Sequence, residues 1–354
     1  MQPDTDKHDV QDVAALPPAS PVGHRMANFS LRDPFGQPFN LYDALEGRPA
    51  LIVFLEGIEQ CAALAGRENE ITGLGADLFA IAVETPQVLA EVEAPFALFC
   101  DPDGQVTAKF EDWAFGSASP GTGEAGSFGF LLDANQRVAE ARRGALEDII
   151  AASAECLRRT RPAPAETFTG SAPVLVLPRL LDEDLCQALM RFWVDGKPFE
   201  GTVGTVGAGD EFHRVYHEKK RRLDLSISDP GLHKQLELIV GQRIAPELEK
   251  AFHFSNFFFE RFLVVCYDAA RDDFFRPHRD NLSPDTAERR FAVTVNLNDD
   301  YDGGGVVFPE YGPDHYRPDA GGVLIFSCSL IHEALPVTKG RRFALLNMAR
   351  QKLA

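Results

Sequence analysis

The chain contains the octapeptide Phe274-Phe275-Arg276-Pro277-His278-Arg279-Asp280-Asn281. Its histidine and aspartate are two positions apart, and residues at i and i+2 of a β-strand point to the same face. The imidazole of His278 and the carboxylate of Asp280 are therefore predicted to lie side by side. A second histidine, His332, follows 54 residues after His278, and Arg342 follows ten residues after His332.

Two imidazoles and one carboxylate form the ligand set that holds Fe(II) in non-haem oxygenases and leaves coordination positions open. For this set to form, His332 must come from a distant strand and fold back against His278 and Asp280. A cation that follows His332 closely, such as Arg342, could hold an anionic co-substrate beside the metal. The pattern predicts a site for oxygen chemistry.

The sequence from Phe262 onward consists of short apolar runs separated by turns rich in Gly, Pro, Asn and Asp. This spacing is typical of an all-β domain. Two such turns are Asn298–Gly305 and Pro336–Gly340. A sheet that closes on itself would bring His278 and His332 together despite their separation in the chain.

Residues from about 174 to the C-terminus resemble the prolyl 4-hydroxylase branch of the Fe(II)/2-oxoglutarate-dependent dioxygenases. The resemblance rests on Arg276–Asp280, on Gly303-Gly304-Gly305-Val306-Val307-Phe308-Pro309-Glu310, and on the segment from His332 through Pro336-Val337 to Gly340-Arg341-Arg342. It implies a double-stranded β-helix, or jelly roll, with flanking helices.

The same resemblance assigns roles to individual residues. His278, Asp280 and His332 become the iron ligands, and Arg342 pairs with the far carboxylate of 2-oxoglutarate. Tyr267 matches a family tyrosine whose hydroxyl binds the same carboxylate. Arg341 is the other candidate for binding this carboxylate. Adjacent residues on a strand face opposite ways, so only one of the two arginines can point into the site, and the offset of ten residues from His332 favours Arg342.

The implied reaction uses Fe(II), 2-oxoglutarate and O2, with ascorbate as a reductant. It hydroxylates an unactivated C–H bond and releases succinate and CO2. Family analogy points to a prolyl residue of a protein or peptide. Two alternatives stay open: a hydroxylase of a free amino acid or small metabolite, and a non-catalytic sensor of iron and 2-oxoglutarate.

Residues 24–160 alternate predicted buried strands with predicted helices, which indicates an α/β layer. The strands include the apolar run Ala50–Leu55, and helices are predicted from Glu59 to Gly75 and from about Leu146 to Arg159. Beyond this region, Val174–Leu177 predicts a further strand.

Phe29–Asp33 with Gly36–Leu41, and Asp101-Pro102-Asp103-Gly104, resemble segments of the peroxiredoxin and thioredoxin-like superfamily. The T-x-x-C motif of that family is absent. Cys61 lies near the predicted start of the active-site helix, where a helix N-terminus can depress a thiol pKa. A redox-inactive domain is predicted, with a thiol peroxidase using Cys61 as the alternative.

The length of 354 residues favours two domains. We predict a flexible leader over 1–23, the thioredoxin-like domain over 24–160, a proline-rich linker over 161–173 and the dioxygenase domain over 174–354. A homodimer built through the N-terminal domain, or recruitment of substrate by that domain, stays open.

The chain carries 53 acidic and 35 basic residues, a net charge of -18, which argues against nucleic-acid or anionic-membrane partners. Six scattered cysteines without a CxxC suit a reducing compartment. No apolar leader or spanning segment is visible, so a cytoplasmic protein is predicted.

One basic run, Lys219 to Arg222, precedes Asp224 and a predicted long helix over 231–252. A solvated stretch with partial helical character is the favoured interpretation of this run. The alternative is a segment that admits substrate to the site.

Overall fold

The computed structural model describes residues 20–116, 126–160, 167, 170–201, 203–204, 213–214 and 217–352. The chain divides into two compact units, with the division between residues 166 and 167. Among the described residues, no helix combines the length and the apolar character that crossing a bilayer requires.

The N-terminal unit is a mixed sheet with helices. Its elements are β1 (Ser30–Arg32), β2 (Pro38–Asn40), α1 (Leu41–Ala44), β3 (Ala50–Leu55), α2 (Gln60–Ala65), α3 (Asn69–Thr72), β4 (Asp77–Ala82), α4 (Pro86–Leu89), β5 (Ala97–Cys100), α5 (Gln105–Phe115), β6 (Ser127–Leu132), β7 (Val138–Gly144) and α6 (Leu146–Arg159).

The seven strands have the order β2-β1-β5-β4-β3-β6-β7. The pairs β3–β4 and β4–β5 are parallel, and the other pairs are antiparallel. All six residues of β3 are buried. Two hydrophobic clusters cover the two faces of the sheet. One contains Leu51 and Val53, and the other contains Ile52 and Phe54. The continuous apolar run is therefore explained by burial on both faces.

One helix of this unit differs from the sequence prediction. The single helix expected from Glu59 to Gly75 is divided into α2 and α3. The backbone N–H of Gly66 donates to the carbonyl of Ala62 and that of Arg67 donates to the carbonyl of Leu64, and α2 ends there. Glycine has low helix propensity, so an internal glycine favours a break at this point.

The C-terminal unit is rich in strands. Its elements are β8 (Val174–Leu177), α7 (Glu183–Asp195), β9 (Phe199–Glu200), β10 (Val203–Gly204), β11 (His213–Arg214), β12 (Lys220–Arg221), β13 (Leu223–Ser226), α8 (Pro230–Phe252), β14 (Phe257–Phe259), β15 (Leu263–Asp268), β16 (Phe274–His278), β17 (Arg289–Asn296), β18 (Asp302–Gly303), β19 (Val306–Val307), β20 (His315–Tyr316), β21 (Val323–Ser327), β22 (His332–Ala334), β23 (Val337–Lys339) and β24 (Arg341–Gln351).

Two antiparallel sheets dominate this unit. The larger has the order β8-β21-β17-β24-β15-β13-β9, with β14 also paired to β24, and the smaller has the order β12-β16-β22-β19-β20. Residues of α7 and α8, such as Leu189 and Leu236, share one hydrophobic core with Val264, Val293 and Phe343 of the larger sheet. This sheet-rich arrangement with flanking helices is consistent with the predicted jelly roll.

The long helix α8 begins close to its predicted position. The side chain of Asp229 accepts a hydrogen bond from the backbone N–H of Leu232, and Pro230 occupies the first turn. Both features are helix-start signals because the first N–H groups of a helix have no internal partner. The helix ends where His253 adopts a left-handed conformation with φ of 50°.

Candidate metal centre and its cavity

The structure brings His278, Asp280 and His332 together. His278 ends β16 and His332 begins β22, and the two residues are paired directly across these antiparallel strands. Each Nε2 lies 3.5 Å from one carboxylate oxygen of Asp280. One potential ligand atom from each residue lies within 4.8 Å of the other two.

The prediction that strand alternation places His278 beside Asp280 is wrong. Strand β16 ends at His278, so Asp280 is not on the same strand. The pairing of β16 with β22 shifts register between Phe275 and His278. A bend then directs Asp280 back, and its backbone N–H donates to the carbonyl of Cys328 at 3.0 Å. A local turn, and not strand alternation, places the carboxylate.

Hydrogen bonds fix which nitrogen of each imidazole faces the centre. His278 Nδ1 lies 2.8 Å from the carbonyl of Arg276, and His332 Nδ1 lies 3.1 Å from the carbonyl of Leu330. A carbonyl only accepts, so Nδ1 carries the proton and a neutral ring presents its Nε2 lone pair. Two such lone pairs converge with the carboxylate of Asp280. That donor set fits a divalent cation and has the composition of a non-haem Fe(II) site.

The protonation states suit metal binding. Burial favours the neutral acid, but His332, His278 and Arg289 outweigh it and hold the pKa of Asp280 well below its usual range. Burial lowers the pKa of His332, against the opposing effect of Asp280. Both shifts favour the forms that a metal requires at neutral pH, a carboxylate and an uncharged imidazole.

A cavity of about 1440 Å³ opens beside these three residues. Its lining combines apolar and charged side chains. The lining includes Lys220, Arg222, Asp224, Tyr267, Phe275, His278, Asp280, Arg289, Phe326, His332, Arg342 and Met348.

Arg342 is a buried cation of this cavity, 3% exposed, whereas Arg341 is exposed. Its Nε donates to Asn296 Oδ1 at 3.1 Å and its Nη1 to the carbonyl of Gly304 at 2.8 Å. No carboxylate of the described residues forms an ion pair with it. Buried charges in proteins are normally paired, so this guanidinium is suited to an anionic ligand.

Gly304 explains part of the glycine motif. Its φ is +66°, and an added Cβ would lie 3.0 Å from Val337 Cγ2 and 3.3 Å from Arg342 Cδ. A side chain at this position would be strained and would crowd Arg342. The glycine therefore lets the backbone approach the guanidinium closely enough to accept its hydrogen bond.

Tyr267 lies in the same cavity and is 4% exposed. Its ring centroid is 5.7 Å from the guanidinium carbon of Arg342. Its hydroxyl accepts a hydrogen bond from Arg222 Nη1 at 3.1 Å. A phenol that accepts through its oxygen keeps its own proton for donation.

The favoured interpretation of the run from Lys219 to Arg222 is wrong for two of its residues. Lys220 lies on the two-residue strand β12 and Arg222 lies between β12 and β13; both are buried, and neither lies in a solvated helical stretch. Both contact the carboxylate of Asp224, Lys220 Nζ at 3.3 Å and Arg222 Nη2 at 2.9 Å. Burial and Arg222 lower the pKa of Lys220 to about 8, although Asp224 opposes the shift.

One signal in the sequence identifies these buried charges. Lys220, Arg222 and Asp224 occur at every second position, which is the period of a strand that turns one face inward. An acidic residue in step with two basic ones supplies the partner that buried cations need. Lys219 is exposed, as the same period requires.

Cys61 has none of the features of an activated thiol. It is buried at the second position of the six-residue helix α2. Burial, and then Glu59, raises the pKa of its thiol, which is the opposite of the depressed pKa that the thiol peroxidase alternative requires. The other five cysteines are also buried.

Comparison with known proteins gives a family match for part of the chain. Residues 262–349 match the model of the 2OG-Fe(II) oxygenase superfamily. No curated protein matches this chain significantly.

Three solved structures are similar to parts of it. A Pseudomonas putida prolyl-4-hydroxylase is 17% identical, with a TM-score of 0.40, over 52% of this chain and 95% of that one. A prolyl hydroxylase from Trichoplax adhaerens, in complex with a hypoxia inducible factor peptide fragment, is 17% identical, with a TM-score of 0.42, over 51% and 84%. The peroxidoxin BcpB from Mycobacterium tuberculosis is 19% identical, with a TM-score of 0.35, over 41% and 100%.

The residues that match the family model include Tyr267, His278, Asp280, His332 and Arg342. The segment that builds the candidate metal centre is therefore the segment of this chain that is similar to the 2OG-Fe(II) oxygenase superfamily.

Proposed function

We propose that this protein is an Fe(II)- and 2-oxoglutarate-dependent dioxygenase that hydroxylates an unactivated C–H bond and releases succinate and CO2. One observation carries the proposal. The Nε2 atoms of His278 and His332 converge with the carboxylate of Asp280 at the wall of one cavity. The same cavity contains the buried guanidinium of Arg342, which forms no ion pair with a carboxylate of the described residues. A metal and an anionic co-substrate would satisfy both features.

Each residue has a proposed role. His278, Asp280 and His332 would hold Fe(II), while Arg342 would bind the far carboxylate of 2-oxoglutarate through its guanidinium. Tyr267, held by Arg222, would donate a hydrogen bond from its hydroxyl to the same carboxylate. When bound, Fe(II) and 2-oxoglutarate supply the oxygen chemistry, and ascorbate would serve as the reductant. The apolar part of the cavity wall would exclude water from the reacting groups.

We propose a prolyl residue of a protein or peptide as the substrate. The cavity volume of about 1440 Å³ supports this choice, since small-molecule pockets are commonly about 300–1,000 Å³. A free amino acid or small metabolite remains the alternative. Succinate release stimulated by a proline-containing peptide, but not by free proline, is the expected result. Stimulation by free proline alone would favour the alternative.

For the N-terminal unit we propose a redox-inactive, thioredoxin-like domain over about 24–160, separated by a linker over 161–173 from a dioxygenase domain over 174–354. The sheet with parallel β3, β4 and β5 beside the antiparallel β6 and β7 supports this fold. The burial of Cys61 supports a role other than thiol chemistry. Six cysteines outside disulfides support a cytoplasmic location.

The test of the central proposal is an anaerobic titration of the metal-free protein with Fe(II) and 2-oxoglutarate. A visible charge-transfer absorption is expected, and His278→Ala should abolish it. An absent band, or a band that survives His278→Ala, would contradict the assignment. Succinate formation in air then distinguishes an enzyme from a sensor that binds both groups without turnover.

A further inference from the structure

We infer that Arg279 and Glu310 form a clamp that sets the positions of the metal-binding side chains. Arg279 lies between the candidate ligands His278 and Asp280, and Glu310 lies on a third segment. We refer to their joint contacts as the Arg279–Glu310 clamp. The inference rests on the proposed function, since it assigns both residues as positioning residues of the same metal centre.

The metal centre needs such support because its ligands come from two short, distant segments. Strand β22 has three residues. It pairs with β16 at two registered positions, Phe275 with Ala334 and His278 with His332, with a register shift between them. Asp280 lies beyond the end of β16. Because this strand pairing is so short, contacts outside the strands are needed to set the position of Asp280 relative to His332.

Arg279 joins the two segments directly. Its Nε donates to the backbone carbonyl of Ser329 at 2.6 Å, and its Nη2 donates to Glu310 Oε1 at 2.7 Å. The second carboxylate oxygen, Glu310 Oε2, accepts the backbone N–H of Ile331 at 2.8 Å. Ile331 immediately precedes His332. One carboxylate therefore connects the residue between two ligands with the residue next to the third.

Neighbouring contacts act in the same direction. The side-chain amide of Asn281 donates to the hydroxyl of Ser329 at 2.8 Å, and the backbone N–H of Asp280 donates to the carbonyl of Cys328 at 3.0 Å. Residues 279–281 thus contact the segment that precedes His332 at successive positions.

Glu310 is well placed to act as a fixed point. It follows Phe308, which is 1% exposed, by two residues. The ring of Phe308 packs edge-to-face against Phe326 at 5.0 Å and Tyr316 at 5.3 Å. This anchors the end of the Gly303–Glu310 motif. The clamp gives a reason for the charged residue at the end of that otherwise apolar stretch.

The ion pair itself contributes little stability. The Arg279 and Glu310 side chains are 32% and 36% exposed, and pairs of this kind are weak in water. The effect of the clamp is expected in geometry, because its charge-assisted bonds also hold two backbone groups next to the ligands. Residues that orient metal ligands typically change metal affinity by about 10–100-fold when they are replaced.

The experiment is a titration of the full-length, metal-free protein with Co(II), whose visible absorption reports ligand geometry. We expect Arg279→Gln and Glu310→Gln each to raise the Kd for Co(II) about tenfold and to alter the spectrum. The double variant should be no worse than either single one, since both act through one unit. Arg290→Gln is the matched control: Arg290 also bonds one side chain, Gln351, and one carbonyl, that of Ala287. It should leave the Kd unchanged.

The outcomes separate this inference from the proposed function. If the wild-type protein does not bind Co(II), the proposed metal centre fails. If it binds and Arg279→Gln has the same Kd and spectrum as Arg290→Gln, the clamp is overturned while the metal centre stands. Additive losses in the double variant would also overturn it. Urea denaturation of the metal-free variants checks that they fold, and Glu310→Gln decides by the same criteria if Arg279→Gln does not fold.

Discussion

The two units of this protein both bury charged side chains, but the buried charges have different surroundings. In the N-terminal unit, the carboxylate of Asp101 accepts from the backbone of Val106 and Thr107 at the start of α5, and Arg137 donates to the carbonyl of Gly23. In the C-terminal unit, the nearly buried carboxylate of Asp280, whose side chain is 11% exposed, and the buried guanidinium of Arg342 line one large cavity. Burial of charge alone therefore does not indicate a site. Buried charges that share a cavity do.

The largest expected difference between the units is in catalysis. Asp280→Ala should abolish 2-oxoglutarate-dependent succinate formation, because it removes the anionic ligand of the proposed metal centre. Asp101→Ala should leave this activity unchanged and lower the free energy of unfolding by about 1 kcal/mol, as the loss of a helix-start acceptor does. Succinate assays and urea denaturation measure the two effects. Wild-type turnover in Asp280→Ala would contradict the comparison.

The second expected effect is on stability. Asp224→Asn should destabilise the C-terminal unit by about 3 kcal/mol, because it leaves the buried guanidinium of Arg222 without its carboxylate. Asp77→Asn, which removes the exposed partner of Arg48 in the N-terminal unit, should have little effect. Urea denaturation followed by circular dichroism measures both. Equal effects would show that burial does not distinguish the two pairs.

The third expected effect is on co-substrate binding. Arg342→Met should raise the KM for 2-oxoglutarate about 100-fold, since breaking a buried charge pair costs about 2–5 kcal/mol. Arg341→Met is the natural control because it removes an adjacent but exposed arginine. Initial rates of succinate release over a range of 2-oxoglutarate concentrations provide the measurement. A similar KM in both variants would remove Arg342 from the proposed site.

Local patterns predicted much of the secondary structure. The apolar runs at Ala50–Leu55 and Val174–Leu177 are strands, and Leu146–Arg159 is a helix. Acidic residues in its first turn and basic residues in its last turn match the helix dipole. The break at Gly66 differs from the predicted single helix, because the helical pattern continues across a residue whose low helix propensity favours a break.

For the candidate site, the sequence predicted which residues take part but not the local geometry that positions them. Spacing and resemblance identified the three candidate ligands and Arg342 as a group. The turn that carries Asp280 away from β16 was not predictable, because it depends on a register shift against β22. The burial of Lys220 and Arg222 differs from the prediction because runs of charge are usually solvated, whereas here the spacing of two positions turns these side chains inward. The Arg279–Glu310 contact joins residues 31 positions apart, and nothing in the local sequence of either residue specifies it.

The smallest expected effect concerns the thiol of Cys61. Burial raises its pKa, so its thiolate fraction at pH 7.5 is below that of an ordinary cysteine. Alkylation by iodoacetamide should therefore be slow in the native protein at pH 7.5, and its rate should go on rising with pH beyond about 8.5, the ordinary thiol pKa at which the rate of an unperturbed cysteine begins to level off. Mass spectrometry should find little modification before denaturation and all six cysteines modified after it.

The same measurement tests whether the N-terminal unit lacks a reactive site, in contrast to the C-terminal unit. Rapid, selective alkylation of Cys61 at pH 7.5 would show an accessible thiolate that the buried position in α2 does not provide. Peroxide consumption that depends on Cys61 would then revive the thiol peroxidase alternative. Slow alkylation, together with peroxide consumption unchanged in Cys61→Ser, would leave the cavity of the C-terminal unit as the site on which the proposed activity depends.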